Sequence, residues 1–126
     1  MDIKPELKYT KDHEWIEIDG KIATVGITDY AQGELGDIVY VEIETLDENL
    51  EKEEVFGSVE AVKTVSDLFL PVSGKIVEVN QKIENSPEII NEDPYNDGWI
   101  IKMEIENEEE LNELLDADAY SKLIGL

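Results

Sequence analysis

The residues best suited to chemistry in this chain lie in one stretch, Gly57-Ser58-Val59-Glu60-Ala61-Val62-Lys63-Thr64-Val65-Ser66-Asp67. Lys63 stands among small and β-branched neighbours, between two halves that each read as strand. That arrangement suits covalent modification of an amine. A ligase must reach an extended ammonium without steric crowding, and stiff flanking strands hold it at an outward tip. The same pattern also fits a strand lysine whose stem lies on apolar surface while its head stays wet. Nothing at Lys63-Thr64 announces a turn, because Gly, Asn and Asp are absent there, and local propensity runs the strand straight through. On the residues alone both readings stay open. Other chemistries are closed by composition. With no cysteine there is neither a disulfide framework nor a thiolate site, and any redox sulfur must come from an attached group. His13 is the sole histidine, which excludes triads and multi-histidine metal sites. Asp93 to Gly98 faintly resembles a calcium loop, but Tyr95 stands where an oxygen ligand is wanted and strand follows where a helix is needed.

The elements that must position Lys63 are short. Trp15 to Ile18 and Lys21 to Ile27 read as strands around Asp19-Gly20, a dipeptide that tolerates positive φ in tight hairpins. Asp29 with Gln32 three residues on fits a capping box, so one or two helical turns are expected near 29–34, ended by Gly33 and Gly36. Ile38 to Ile43 is a β-branched run, Asp47 to Glu54 a polar loop, and Lys75 to Val79 a further strand after the Ser73-Gly74 turn. Gln81 to Pro94 reads as irregular, punctuated by Pro87 and Pro94. Trp99, Ile101, Met103 and Ile105 alternate with polar residues as a half-buried strand. Asn107 then caps a helix opened by three glutamates, and Tyr120, Leu123 and Ile124 extend its face, with a second short helix after Asp116. Six or seven short strands with terminal helices point to a mainly β sandwich or barrel. Gly20-Lys21-Ile22 and Gly74-Lys75-Ile76 hint at an internal repeat.

The chain has 126 residues, the size of a single domain spanning 1–126. Its ten cations, all lysine, face 32 acids, for a net charge of −22. Such a surface repels phosphate backbones and anionic membrane faces, so neither nucleic acid nor membrane is an expected partner. It favours partners with basic docking surfaces, with association slowed by salt. No apolar run is long enough for a membrane span and the N-terminal residues show no export pattern, so a cytoplasmic location is expected.

Several separate motifs resemble the H proteins of the glycine cleavage system, from about Leu7 to Gly125: Tyr9-Thr10-Lys11-Asp12-His13-Glu14-Trp15, Val25-Gly26-Ile27-Thr28-Asp29-Tyr30-Ala31-Gln32, Leu35-Gly36-Asp37-Ile38-Val39, the Gly57–Asp67 segment, and Ile89-Ile90-Asn91 followed by Asp93-Pro94-Tyr95 and Asp97-Gly98-Trp99. The resemblance implies a hybrid barrel-sandwich of two antiparallel sheets, like a lipoyl domain, with lipoate amide-linked to Lys63 at a hairpin tip flanked by Glu60, Ala61, Val62 and Thr64. It implies a non-catalytic, monomeric carrier. Its arm would take an aminomethyl group from the pyridoxal-phosphate glycine decarboxylase (P protein) to the tetrahydrofolate-dependent aminomethyltransferase (T protein). It would then return electrons to the dihydrolipoyl dehydrogenase (L protein). A lipoate ligase or octanoyltransferase would load it. By the same resemblance, Asp12, Glu14, Ile27, Glu34, Leu35 and Asp67 would form a cleft for the loaded arm, with Ile27 and Leu35 excluding water and carboxylates attracting the terminal ammonium. Asp12 and Glu34 depart from the serine and histidine that some members carry, which makes this cleft more acidic. His13 reads as a packing residue beside Trp15 or as a cleft contact. Two other functions compete: a lipoate-relay protein that passes its lipoyl group to other lipoyl domains, and an unmodified interaction module. A biotin carrier is disfavoured, since Val62 and Thr64 stand where methionines usually flank the lysine.

Overall fold

The computed structural model describes residues 2–126. In chain order its strands are β1 (Lys8–Tyr9), β2 (Glu14–Asp19), β3 (Ile22–Ile27), β4 (Ile38–Glu42), β5 (Asn49–Leu50), β6 (Val55–Ala61), β7 (Val65–Phe69), β8 (Gly74–Val79) and β9 (Ile101–Ile105). Its helices are α1 (Asp29–Leu35), α2 (Gln81–Asn85), α3 (Ile89–Glu92) and α4 (Ala117–Leu123), with a 3₁₀ segment at Glu108–Glu113. A six-stranded antiparallel sheet runs β1-β2-β3-β9-β8-β5, and a three-stranded one runs β4-β6-β7. This is the expected mainly β architecture of two antiparallel sheets with short helices. The strand count exceeds the expected six or seven because β1 and β5 are two-residue edges, too short to show a period.

The strands form where side chains alternate between two environments. Ile16, Val25, Val41, Phe56, Val59, Leu68, Ile76 and Met103 are buried in one core. Removing each such side chain from water contributes roughly 1.5–3 kcal/mol. A second cluster gathers Leu7, Tyr9, Trp15 and Tyr120, with Tyr9 and Tyr120 stacked at 4.7 Å. Neighbouring Trp15 and Ile16 go to different clusters, as the pleat of β2 requires. Trp15 also donates its Nε1–H to the Pro94 carbonyl at 3.0 Å. The C-terminal segment is pinned by a two-bond bridge between Tyr9 and Leu115, each bond 2.8 Å.

Several local expectations are corrected. The first hairpin uses Gly20 and Lys21 as its loop, since Asp19 pairs with Ile22, and only Gly20 (φ +64°) takes the left-handed region. Helix α1 is capped one residue earlier than expected: the Thr28 hydroxyl accepts the Ala31 N–H at 3.1 Å. Asp29 instead accepts from the Gln32 side chain at 2.8 Å, and Gly33 lies inside the helix, which ends at Gly36 (φ +79°). The Gln81–Pro94 stretch holds two one-turn helices around Pro87, each too short for a readable period, with Ile83 and Ile90 fully buried. The last long strand begins at Ile101, because the Asn80 side-chain amide takes the Trp99 carbonyl at 2.7 Å and holds Trp99 in the preceding loop. At the C-terminus Asn107 caps a helical segment as expected and a second helix follows Asp116, which caps it, but Leu123 turns outward while Tyr120 is buried.

The internal repeat does not survive as symmetry. Strands β3 and β8 do flank β9, but Ile22 lies opposite Glu104 and Ile76 opposite Met103. That one-residue offset reverses the faces. Ile22 is 36% exposed and Ile76 is wholly buried.

The close approach of β2 and β3 gives a direct test. A β-carbon at Gly26 would stand 2.7 Å from three indole atoms of Trp15. The indole is walled in and hydrogen-bonded, so it has little room to yield. Gly26→Ala should cost roughly 1–3 kcal/mol, read as a lower urea midpoint with an unchanged slope.

Candidate functional site: a lysine hairpin beside an acidic cleft

Lys63 does sit at a turn. Strands β6 and β7 pair through Glu60 and Val65, and the Ala61 N–H donates to the Thr64 carbonyl at 2.7 Å, leaving Val62 and Lys63 as the tip. No residue of this tip has positive φ. The turn therefore needs neither Gly nor Asn, which is why its sequence carries no turn signature. A tertiary contact stabilises it instead: the Val62 N–H donates to the Asp37 carbonyl at 3.0 Å. Glu60, Val62, Lys63 and Thr64 are exposed, while Ala61 turns inward beside Ile38.

That contact carries the hairpin to the end of α1. A β-carbon at Gly36 would lie 3.5 Å from the Lys63 Cε and 3.9 Å from its Nζ. The lysine stem thus runs over a bare glycine. Asn91 holds this corner, its amide donating to the Gly36 carbonyl at 2.8 Å and to Gln32 at 3.0 Å while its oxygen accepts the Ile38 N–H at 2.9 Å. Neither Gly36 nor Asn91 was singled out for this role from the sequence, although both lie inside the motifs quoted.

Immediately before Gly36, Glu34 and Leu35 at the end of α1 open onto a cleft of about 280 Å³. All six predicted cleft residues, Asp12, Glu14, Ile27, Glu34, Leu35 and Asp67, line it together. Sequence reasoning missed Tyr30, Ala31, Val59, Ser66 and Leu68, which also line it. Of these, Val59 and Leu68 belong to the main core. The floor is apolar, from Ile27, Leu35, Val59 and Leu68. Asp12, Glu34 and Asp67 are exposed. No lysine lines the cleft.

Glu14 differs from the other acids. It is only 2% exposed, and burial pushes its carboxyl up to about 8. It therefore enters the cleft largely as a neutral acid at pH 7, a difference from the expected carboxylate. Removing a charge from water costs more than protonation does. Two contacts fix it: the Thr10 hydroxyl donates to one oxygen at 2.9 Å and the Phe69 N–H to the other at 3.1 Å. The Thr10 hydroxyl also accepts the backbone N–H groups of Asp12 and Glu14, each at 3.2 Å, closing the turn that carries these residues.

His13 proves to be both a packing residue and a cleft residue. Its Nδ1 lies 2.9 Å from the Tyr120 hydroxyl, and its ring lies 4.9 Å from that of Tyr30. Burial lowers its basicity, partly opposed by Asp12 and Glu34. Its φ of +69° is costly for a residue with a β-carbon, and the surrounding hydrogen bonds hold it there. Thr28 completes the link, its hydroxyl 2.7 Å from that of Tyr120.

The family model for the glycine cleavage H-protein matches residues 7–125. The chain belongs to the glycine cleavage H-protein family. Curated relatives include the glycine cleavage system H proteins of Staphylococcus epidermidis, 56% identical, and Staphylococcus haemolyticus, 53% identical, each over 125 residues that cover 99% of both chains. The crystal structure of a glycine cleavage system H protein from Mycobacterium marinum superposes with a TM-score of 0.86 at 39% identity, covering 98% of this chain and all of the other. Glycine cleavage H proteins are non-catalytic carriers that bear lipoate on a lysine. This chain has the carrier role in the glycine cleavage system. Among the described residues no helix is long and apolar enough to cross a membrane.

The buried Glu14 makes stability depend on pH. Its folded value, about 8, lies above the 4.5 of a free glutamate. Between these values the folded state holds a proton that the unfolded state has lost, so this contribution falls as pH rises through that window and is constant above it. Glu14→Gln keeps a neutral group and removes the dependence. The melting temperature of Glu14→Gln relative to the parent protein should climb steadily from about pH 4.5 to about pH 8, and a flat difference would show Glu14 to be ordinary.

Proposed function

We propose that Lys63 is the lipoyl attachment site of this carrier and that the cleft beside α1 shelters the loaded end of its arm. One observation carries the reading: the exposed lysine at the hairpin tip runs over bare Gly36 towards a cleft whose floor is apolar and whose rim is acidic.

The residues present fit the group. An arm continuing from Nζ passes Gly36, whose φ of +79° favours glycine and leaves the lysine stem over bare backbone, before it reaches Leu35 and Glu34. Amide linkage removes the lysine charge, and lipoate supplies a dithiolane that accepts the aminomethyl group and later carries electrons. The chain does the rest. Ile27 and Leu35 keep water from whatever lies on the cleft floor. The acids Asp12, Glu34 and Asp67 favour a cationic end group over a neutral one. Glu14, held by Thr10 and Phe69, can give its proton to solvent when a cation lies beside it, since a nearby opposite charge favours the ionised carboxyl. The tether turns successive encounters with the P, T and L proteins into local events at high effective concentration.

The remaining assignments belong to the same reading. Residues 1–126 form a single carrier domain that works as a monomer in the cytoplasm. A lipoate ligase or octanoyltransferase loads it. The excess of 22 negative charges supports docking to basic partner surfaces.

Incubation with a lipoate ligase, ATP and lipoate should add a single adduct by intact mass, and Lys63→Ala should gain none. An adduct on the variant, or none on the parent chain, would remove Lys63 from the role. For the cleft, Glu14→Ala in the loaded carrier should speed release of ammonia and formaldehyde by about tenfold, the scale of one lost buried polar contact. Equal rates would leave Glu14 without a protective part.

A further inference from the structure

Four apolar side chains at and beside the Lys63 hairpin stand in water. Val62 is 76% exposed, Val65 61%, Tyr40 51% and Val39 49%. Single exposed apolar residues need no explanation, but a group around one reactive amine does. The backbone explains how they come together. Tyr40, Glu60 and Val65 lie directly opposite one another across β4, β6 and β7, so their side chains share the outer face of the small sheet. The β4–β6 register shifts between Ile38 and Tyr40. That irregularity leaves Val39 exposed next to Tyr40 while Ile38 and Val41 turn into the core. Val62 completes the surface at the tip, held by its bond to Asp37. The next row back on the same face is polar, formed by Glu42, Ser58 and Asp67. The face is therefore apolar close to the lysine and acidic behind it.

We propose that Val39, Tyr40, Val62 and Val65 form the docking surface for the enzyme that acylates Lys63, a partner with an apolar contact patch rimmed by basic side chains. The proposal rests on Lys63 as the attachment site and adds which surface its modifying enzyme must touch. Reach singles out that partner. Enzymes acting on the loaded arm meet its far end, at a distance from the hairpin. The acylating enzyme must bring an activated acyl carbonyl into contact with Nζ itself. There the amine attacks the acyl adenylate, the amide C–N bond forms, the acyl–phosphate C–O bond breaks, AMP leaves with the electron pair, and the amine proton passes to solvent. A protein surface brought to the hairpin tip would meet Val62 there and Val65 and Tyr40 on the adjoining outer face of the sheet. Glu60 within the row, with Glu42 and Asp67 behind it, then calls for basic groups at the partner's rim.

The test uses the full unmodified chain with a lipoate ligase, ATP and lipoate, following adduct formation by intact mass. A Tyr40→Ser, Val65→Thr double variant changes only exposed positions and keeps a β-branched residue in β7. Its kcat/KM should fall roughly tenfold, mainly through KM, with circular dichroism unchanged. Val55→Thr, also exposed but at the far end of β6, should match the parent chain. An unchanged kcat/KM in the double variant overturns the docking surface. Absence of any adduct on the parent's Lys63 overturns the attachment reading instead. The double variant, driven to full lipoylation with excess ligase, should support glycine–bicarbonate exchange with the P protein at the parent rate. Normal acylation with impaired exchange would also overturn the proposal, by assigning this face to the decarboxylase.

Discussion

The site depends on one backbone hydrogen bond between elements distant in sequence, from the Val62 N–H to the Asp37 carbonyl. A turn at Val62-Lys63 has no intrinsic reason to form, since neither residue prefers one and no glycine relieves the chain. Anchoring Val62 to the strand entry after α1 gives its N–H a partner and fixes the tip against Gly36 in the same step. Asn91 reinforces the corner with three further hydrogen bonds. Each group involved would be costly to leave unpaired away from water. The clamp sets the distance between the lysine and the cleft, and the carrier's geometry follows from that distance.

Charge is distributed along this path in a telling way. The chain is strongly acidic overall, and the cleft gathers four carboxyl groups with no lysine in its lining. Its most buried member is also the one driven towards neutrality. Glu14 cannot hold a full charge cheaply at that depth, so it waits as an acid that a cation can ionise. The exposed acids at the rim are free of this constraint because water still solvates them. A cleft built in this way presents exposed acids at its rim without holding a permanent buried anion.

The same cleft is braced from the far side of the large sheet. Tyr120 on α4 stacks on Tyr9 and meets both His13 and Thr28 through its hydroxyl. The C-terminal helix therefore reaches the cleft wall through His13 and the cap of α1 through Thr28. This offsets the unfavourable backbone of His13, which would otherwise relax. The terminal segment is thus part of the frame that shapes the site, as its bridge to Tyr9 also indicates.

Composition and pattern alone determined much. The absence of cysteine assigned any sulfur chemistry to an attached group, alternation in Ile101, Met103 and Ile105 marked a strand, and Asn107 was legible as a cap because capping is a local interaction. The six cleft residues were named through family resemblance rather than through their own spacing, since Asp12 and Asp67 share no local periodicity. Tertiary structure alone decided the rest. The turn at Lys63, the neutral state of Glu14, the left-handed backbone of His13 and the one-residue offset that breaks the apparent repeat each depend on partners far along the chain. Short-range propensity reports only what a residue does beside its sequence neighbours, and these features are set by contacts that exist once the two sheets have packed.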